Sequence, residues 1–144
     1  MASAAALYTG EVLALATALA RYPLADDLPL RGEARSRSCG STLAMGLALD
    51  PADRIRRIGL VARACAIGQA AAAIFAEAAA GRSRSDLAES EAALSAWLAG
   101  ETAMPDWPGL DAIAMAAAYP GRHGAMVLPW RAALNALSSG AEAG

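Results

Sequence analysis

The chain contains no lysine: its 12 basic residues are all arginine, set against 14 acidic residues for a net charge of −2. That balance does not supply the basic footprint that nucleic-acid binding requires, and leaves room only for a local basic patch. There is one histidine, His123, and only two cysteines, Cys39 and Cys65. Long apolar runs are also missing. Hydrophobic residues make up 56% of the chain, but many are alanine, and the longest apolar run, 64–76, is interrupted by Gln69. It falls short of the roughly 18 residues of a membrane span. The N-terminal stretch lacks a positive start and carries Glu11 before its apolar part, so it reads as a helix rather than a signal peptide. The expectation is a cytoplasmic protein, away from membranes, with reduced thiols rather than a disulfide. No glycine-rich phosphate loop, nucleophile elbow or internal repeat is present.

A chain of 144 residues suits one compact domain spanning 1–144. Thr9 is placed to cap a first helix, with Val12, Leu15 and Leu19 at helical spacing and Tyr22-Pro23 at its end. The pattern then changes to a period of two. Arg31, Glu33, Arg35 and Arg37 alternate with small residues. Leu43, Met45, Leu47 and Leu49 share one face, as do Ile58, Leu60, Ala62 and Ala64, with a turn at Asp50–Asp53. This predicts a three-stranded antiparallel meander with one buried and one wet face. From Ala66 the period is helical again, through an alanine-rich helix that Gly81 ends. Ser85 then predicts a short helix around Leu87, and Ser90-Glu91 a second through Trp97. A helical stretch over 110–119, a turn at 120–124 and a helix from Met126 to Leu137 follow, and the tail is expected to be mobile. The fold class is α+β, the sheet packed on one face by N-terminal and C-terminal helices.

Each cysteine falls at a structural junction. Cys39 follows the first strand, and Cys65 follows the third and precedes the alanine helix. Strands one and three of a meander run in the same direction, so these junctions share one sheet edge, with the thiols about 10 Å apart or less. Cys65 also stands at a helix N-terminus, where amides and the helix dipole favour a thiolate, the form that ligates metal and attacks sulfur. A buried, inert thiol is the plainer reading of either cysteine, and a turn residue the plainer reading of His123. The tryptophans 97, 107 and 130 read as packing anchors. The arginine clusters around residues 31–37 and 54–57 read as the wet sheet face or a docking surface.

The order of an early helix, Cys39-Gly40 between two strands, and Cys65-Ala66-Ile67-Gly68 opening an alanine-rich helix resembles the U-type iron–sulfur cluster scaffold family (IscU, SufU and the NifU N-terminal domain). The likeness runs from about residue 8 to residue 137. The stretch ACAIGQAAAAIF is its most specific piece. The resemblance implies a SufE/NifU-like fold and a non-enzymatic scaffold that binds iron, a nascent iron–sulfur cluster or zinc. The implied partners are a cysteine desulfurase as sulfur donor and cluster-receiving proteins, with the chain a monomer or homodimer. It assigns Cys39, Cys65 and His123 as the metal- and cluster-binding residues. Ser41 stands at the family's aspartate position and Gly124 at its third cysteine. A degenerate scaffold that binds a desulfurase without carrying metal is the alternative.

Overall fold

The computed structural model describes residues 9–37 and 40–143, with side chains to residue 139. Thr9 caps α1 (Gly10–Ala18): its Oγ1 accepts from Val12 N at 3.1 Å, and Glu11 occupies the first turn, where the dipole favours a carboxylate. A 3₁₀ turn, Leu19–Arg21, leads into Tyr22 and Pro23.

Strands β1 (Leu30–Arg35), β2 (Thr42–Leu49) and β3 (Ile55–Arg63) form an antiparallel sheet in that order. Leu43, Met45 and Leu47 are buried along the inner face of β2, as the two-residue period requires. Asp50 Oδ1 accepts from Ala52 N at 2.8 Å and Arg54 N at 3.0 Å, which closes the turn between β2 and β3. The β1 edge is capped by Asn135, whose Nδ2 donates to Glu33 O at 2.7 Å.

Helix α4 (Pro120–Ala143) crosses β1 and β2 on the inner face. The approach is closest at Gly32, where a Cβ would overlap Ala136 N and lie 2.6 Å from Ala132 O. Helix α2 (Ala66–Ala78) packs against α4 and β3, and α1 lies along α2. Its residues Ala70, Ala71, Ala72 and Ala73 are fully buried, and their small side chains let neighbouring elements come close. Phe75 stacks on Trp107 at 5.4 Å and meets Trp130 edge-on at 5.3 Å. Each such pair adds about 0.5–1.5 kcal/mol beyond area burial. Trp107 Nε1 donates to Ile74 O at 3.0 Å, and the Arg82 guanidinium lies 4.2 Å over the Trp107 ring. Two of the tryptophans are therefore core anchors, as the sequence implied.

Five local expectations change. Residues 84–98 form one helix, α3 (Arg84–Leu98), rather than two short ones. Ser83, not Ser85, caps it, because only Ser83 has a carboxylate three residues on to complete a capping box: Ser83 Oγ accepts from Asp86 N, and Asp86 Oδ2 accepts from Ser83 N. Residues 120–124 are the first turn of α4 rather than a separate turn. Pro120 takes the first helical position, where its missing N–H costs nothing, and Pro129 lies inside the helix. The helix continues through the tail to Ala143. The outer sheet face is wet only in part. Residues 23–28 fold over the Gly46–Gly59 pair, where a Cβ at Gly46 would sit 2.9 Å from Leu28 Cβ and one at Gly59 would overlap Pro23 O. Leu28 is buried there.

Candidate functional site

The row Arg35–Thr42–Arg63 marks the end of the sheet from which both cysteine-bearing segments leave. The β1–β2 connection is tight. Ser36 N donates to Ser41 O at 2.8 Å, Gly40 N donates to Ser36 O at 3.0 Å, and Gly40 takes a φ of +70° that favours glycine. Ser36 and Ser41 are buried, and each has an interaction of its own. Cys39 lies outside the described residues.

Beyond Arg63 the chain turns through Ala64, and Cys65 becomes the N-cap of α2 in an extended conformation, φ −64° and ψ 171°. Its side chain makes no capping bond, which leaves a free, half-buried thiol beside the amide-rich end of the helix. The corner is held by Gln69, whose Nε2 donates to Ala64 O at 3.0 Å while its N donates to Cys65 O at 2.9 Å. In the sequence Gln69 is only an interruption of an apolar run. Its spacing was the available signal: four residues after Cys65, it lies one turn along the same helix.

Helix α4 meets this first turn of α2 at Ala125. A Cβ at Gly68 would lie 3.2 Å from Ala125 Cβ. His123 precedes Ala125 by two residues, about 200° around the helix, so the two face different sides of α4. His123 and Gly124 instead line a hollow of about 220 Å³ with Ser95, Leu98 and Arg131, on the α3 side. His123 Nε2 is 2.7 Å from Ala117 O. A carbonyl can only accept, so the proton sits on Nε2. Among the described residues, no group of three or more His, Cys, Asp or Glu side chains is placed to hold a metal ion. With two cysteines in the whole chain, the donors do not fit a four-thiolate cluster held by one copy.

The resolved electrostatic shifts lie away from this corner. The Arg57 side chain, hydrogen-bonded to Asp27, holds that carboxyl below its ordinary value. The backbone N–H of Ser83 does the same for Asp86.

This arrangement of sheet and helices recurs in solved structures. A nitrogen-fixing NifU-like protein (N-terminal) from Brucella abortus superimposes with a TM-score of 0.85 at 20% identity, over 96% of each chain. The chain has a NifU-like fold. A protein from Fervidobacterium islandicum AW-1, described as a scaffold protein for iron–sulfur cluster assembly in the SUF system, has the same fold. It matches with a TM-score of 0.81 at 19% identity, over 94% of this chain and 99% of that one. No family model and no curated protein sequence matches the chain. Among the described residues, no helix is long and apolar enough to cross a membrane.

Proposed function

We propose that the chain is a U-type scaffold protein of iron–sulfur cluster assembly, and that Cys65 and Cys39 hold the sulfur or iron being handled. The observation that carries this reading is the position of Cys65. It caps α2 with an uncommitted thiol, two residues beyond the sheet row from which the Cys39 connection also departs. The U-type fold of two solved proteins, one of them assigned as a cluster scaffold, supports it. The expected sulfur donor is a cysteine desulfurase. The Cys65 thiolate attacks the terminal sulfur of the donor's persulfide, a new S–S bond forms on Cys65, and the donor cysteine leaves as a thiolate. Iron or a nascent cluster is cargo, passed on to a receiving protein, and the chain turns over no substrate of its own. His123 joins the two thiols as a ligand only if it leaves Ala117 and the α3 side.

The test is reconstitution with iron, sulfide and a desulfurase, followed by absorbance, metal content and mass spectrometry for persulfide. Iron, zinc, cluster or persulfide retained by the parent protein and lost in Cys65→Ser supports the reading. No retention of any of them, or retention that Cys65→Ser and Cys39→Ser leave intact, refutes it.

The donor set favours a second reading, a docking partner of a desulfurase that carries no metal: two cysteines and one histidine in the whole chain fall short of the four ligands of a cluster. Desulfurase binding that Cys65→Ser leaves unchanged, with neither metal nor persulfide on the parent protein, would establish it.

A further inference from the structure

We propose that the uncovered end of the outer sheet face is a docking surface for an acidic protein segment that carries an apolar side chain. Two of the five strand arginines, Arg31 and Arg57, and Arg54 just before β3 are committed to the fold. Arg31 Nε donates to Leu28 O at 3.0 Å and helps fasten the 23–28 segment. Arg57 grips both carboxylate oxygens of Asp27, at 2.8 and 3.0 Å. Arg54 donates to Gly81 O at 2.9 Å and lies 3.6 Å from Asp86. Arg35, Arg56 and Arg63 differ: none of their side chains has a hydrogen-bond or ion-pair partner among the described residues, all three are exposed, and of them Arg35 and Arg63 line one hollow. The register puts these two on the same face, on either side of Thr42.

Between them opens a hollow of about 570 Å³, floored by Ala44 and Val61, walled by Leu24 and rimmed at its far side by Glu33. Val61, two residues before the end of β3, is 45% exposed. Of the segment 23–28 that covers the Gly46–Gly59 row, only Leu24 reaches this hollow, at its wall.

The chemistry selects the occupant. Two uncompensated guanidinium groups call for carboxylates, and Arg presents its donors in a fork that matches them. The apolar floor between the arginines calls for an aliphatic or aromatic side chain. A nucleic-acid strand fits less well, because its phosphates would meet Glu33 and a chain of net charge −2. The chain's own residues 1–8, MASAAALY, contain no aspartate or glutamate. Cys65 follows Arg63 by two residues, so a segment seated here delivers its parent protein to the Cys65 corner. The surface itself does not depend on what Cys65 does.

The test uses fluorescence anisotropy of a labelled peptide, Asp-Glu-Leu-Phe-Glu-Asp, with the full chain. Binding is expected to weaken at least about tenfold in the double variant Arg35→Glu/Arg63→Glu and to fall as salt is raised to about 0.5 M. Glu33→Lys is expected to tighten it, and Val61→Asp to weaken it. Circular dichroism confirms that each variant is folded, since none of these residues is buried. The proposal is overturned if the peptide does not bind the parent protein, or binds the charge-reversed variant equally well. Tighter binding of a single-stranded oligonucleotide than of the peptide also overturns it. So does concentration-dependent dimerisation that the charge reversal abolishes, which would make a second copy the occupant.

Discussion

Gly68 of α2 and Ala125 of α4 are packed so closely that a Cβ on the glycine would stand 3.2 Å from the alanine Cβ. Gly68 lies three residues beyond Cys65, in the turn that an N-cap side chain reaches. Ala125 is thus the α4 side chain presented to the Cys65 turn. Gly124, where the family resemblance expects a third cysteine, is displaced by about 100° around the helix and lines the hollow toward α3. Ala125→Cys is therefore expected to add a third thiol to the corner and raise zinc affinity at least about tenfold, measured by competition with a chelating dye. Gly124→Cys is expected to change it little. Equal gains from the two variants would contradict this placement.

The same helical geometry separates His123 from Cys65. With Nε2 donating to Ala117 O, the imidazole ties the start of α4 to the preceding 3₁₀ segment, Leu110–Ala118. His123→Ala is expected to leave metal or persulfide loading within about threefold of the parent, where removal of a true ligand costs about tenfold or more. It should lower stability by about 1 kcal/mol, the net value of one hydrogen bond. Loading that collapses in His123→Ala as it does in Cys65→Ser would restore the histidine as a ligand.

Two glycines set how closely the layers approach. A Cβ at Gly32 runs into the backbone of α4, and one at Gly59 runs into the Pro23 carbonyl, neither of which is the far end of a flexible side chain. Gly32→Ala and Gly59→Ala are each expected to destabilise by about 1–3 kcal/mol, the usual cost of overpacking. Urea denaturation checks this. A matched Gly10→Ala, with open space around its Cβ, should cost nothing measurable.

The meander, its inward faces and the alanine helix were legible because each strand's period of two and the helix's closed run of small residues are local signals. The capping of α1 was legible for the same reason, since Thr9 and Glu11 lie within one turn of each other. The start of α4 was not. Pro120 and Gly121 carry turn chemistry, and only the packing of the helix over β1 shows that Pro120 opens it instead. That shift moves His123 from a loop, where it could turn toward the cysteines, onto a helix face that looks elsewhere. The covering of Gly46 and Gly59 was hidden for a related reason: it depends on contacts between strands and a segment about 20 to 35 residues away, which no local pattern records. At the candidate site, Cys65 and the helix it opens were legible, whereas the packing of Ala125 on that helix's first turn was not.

The capping box of α3 makes stability depend on acid pH. The Ser83 backbone N–H, helped by the Ser83 hydroxyl and by Arg54, holds the Asp86 carboxyl below its ordinary value of 3.8. A carboxyl whose folded pKa is depressed contributes stability that is fully present above the unfolded value and is lost as pH falls through the folded one. The Arg57–Asp27 pair acts in the same direction. Asp86→Ala is therefore expected to lower the melting temperature at pH 7 and to flatten its fall as pH drops below the ordinary carboxyl value of 3.8, because the variant has no proton to gain at that position. Ser83→Ala should cost about 1 kcal/mol at pH 7 through loss of the hydroxyl cap. Thermal melts across this pH range check both, and an acid limb equally steep in Asp86→Ala and the parent would show that the box does not set it.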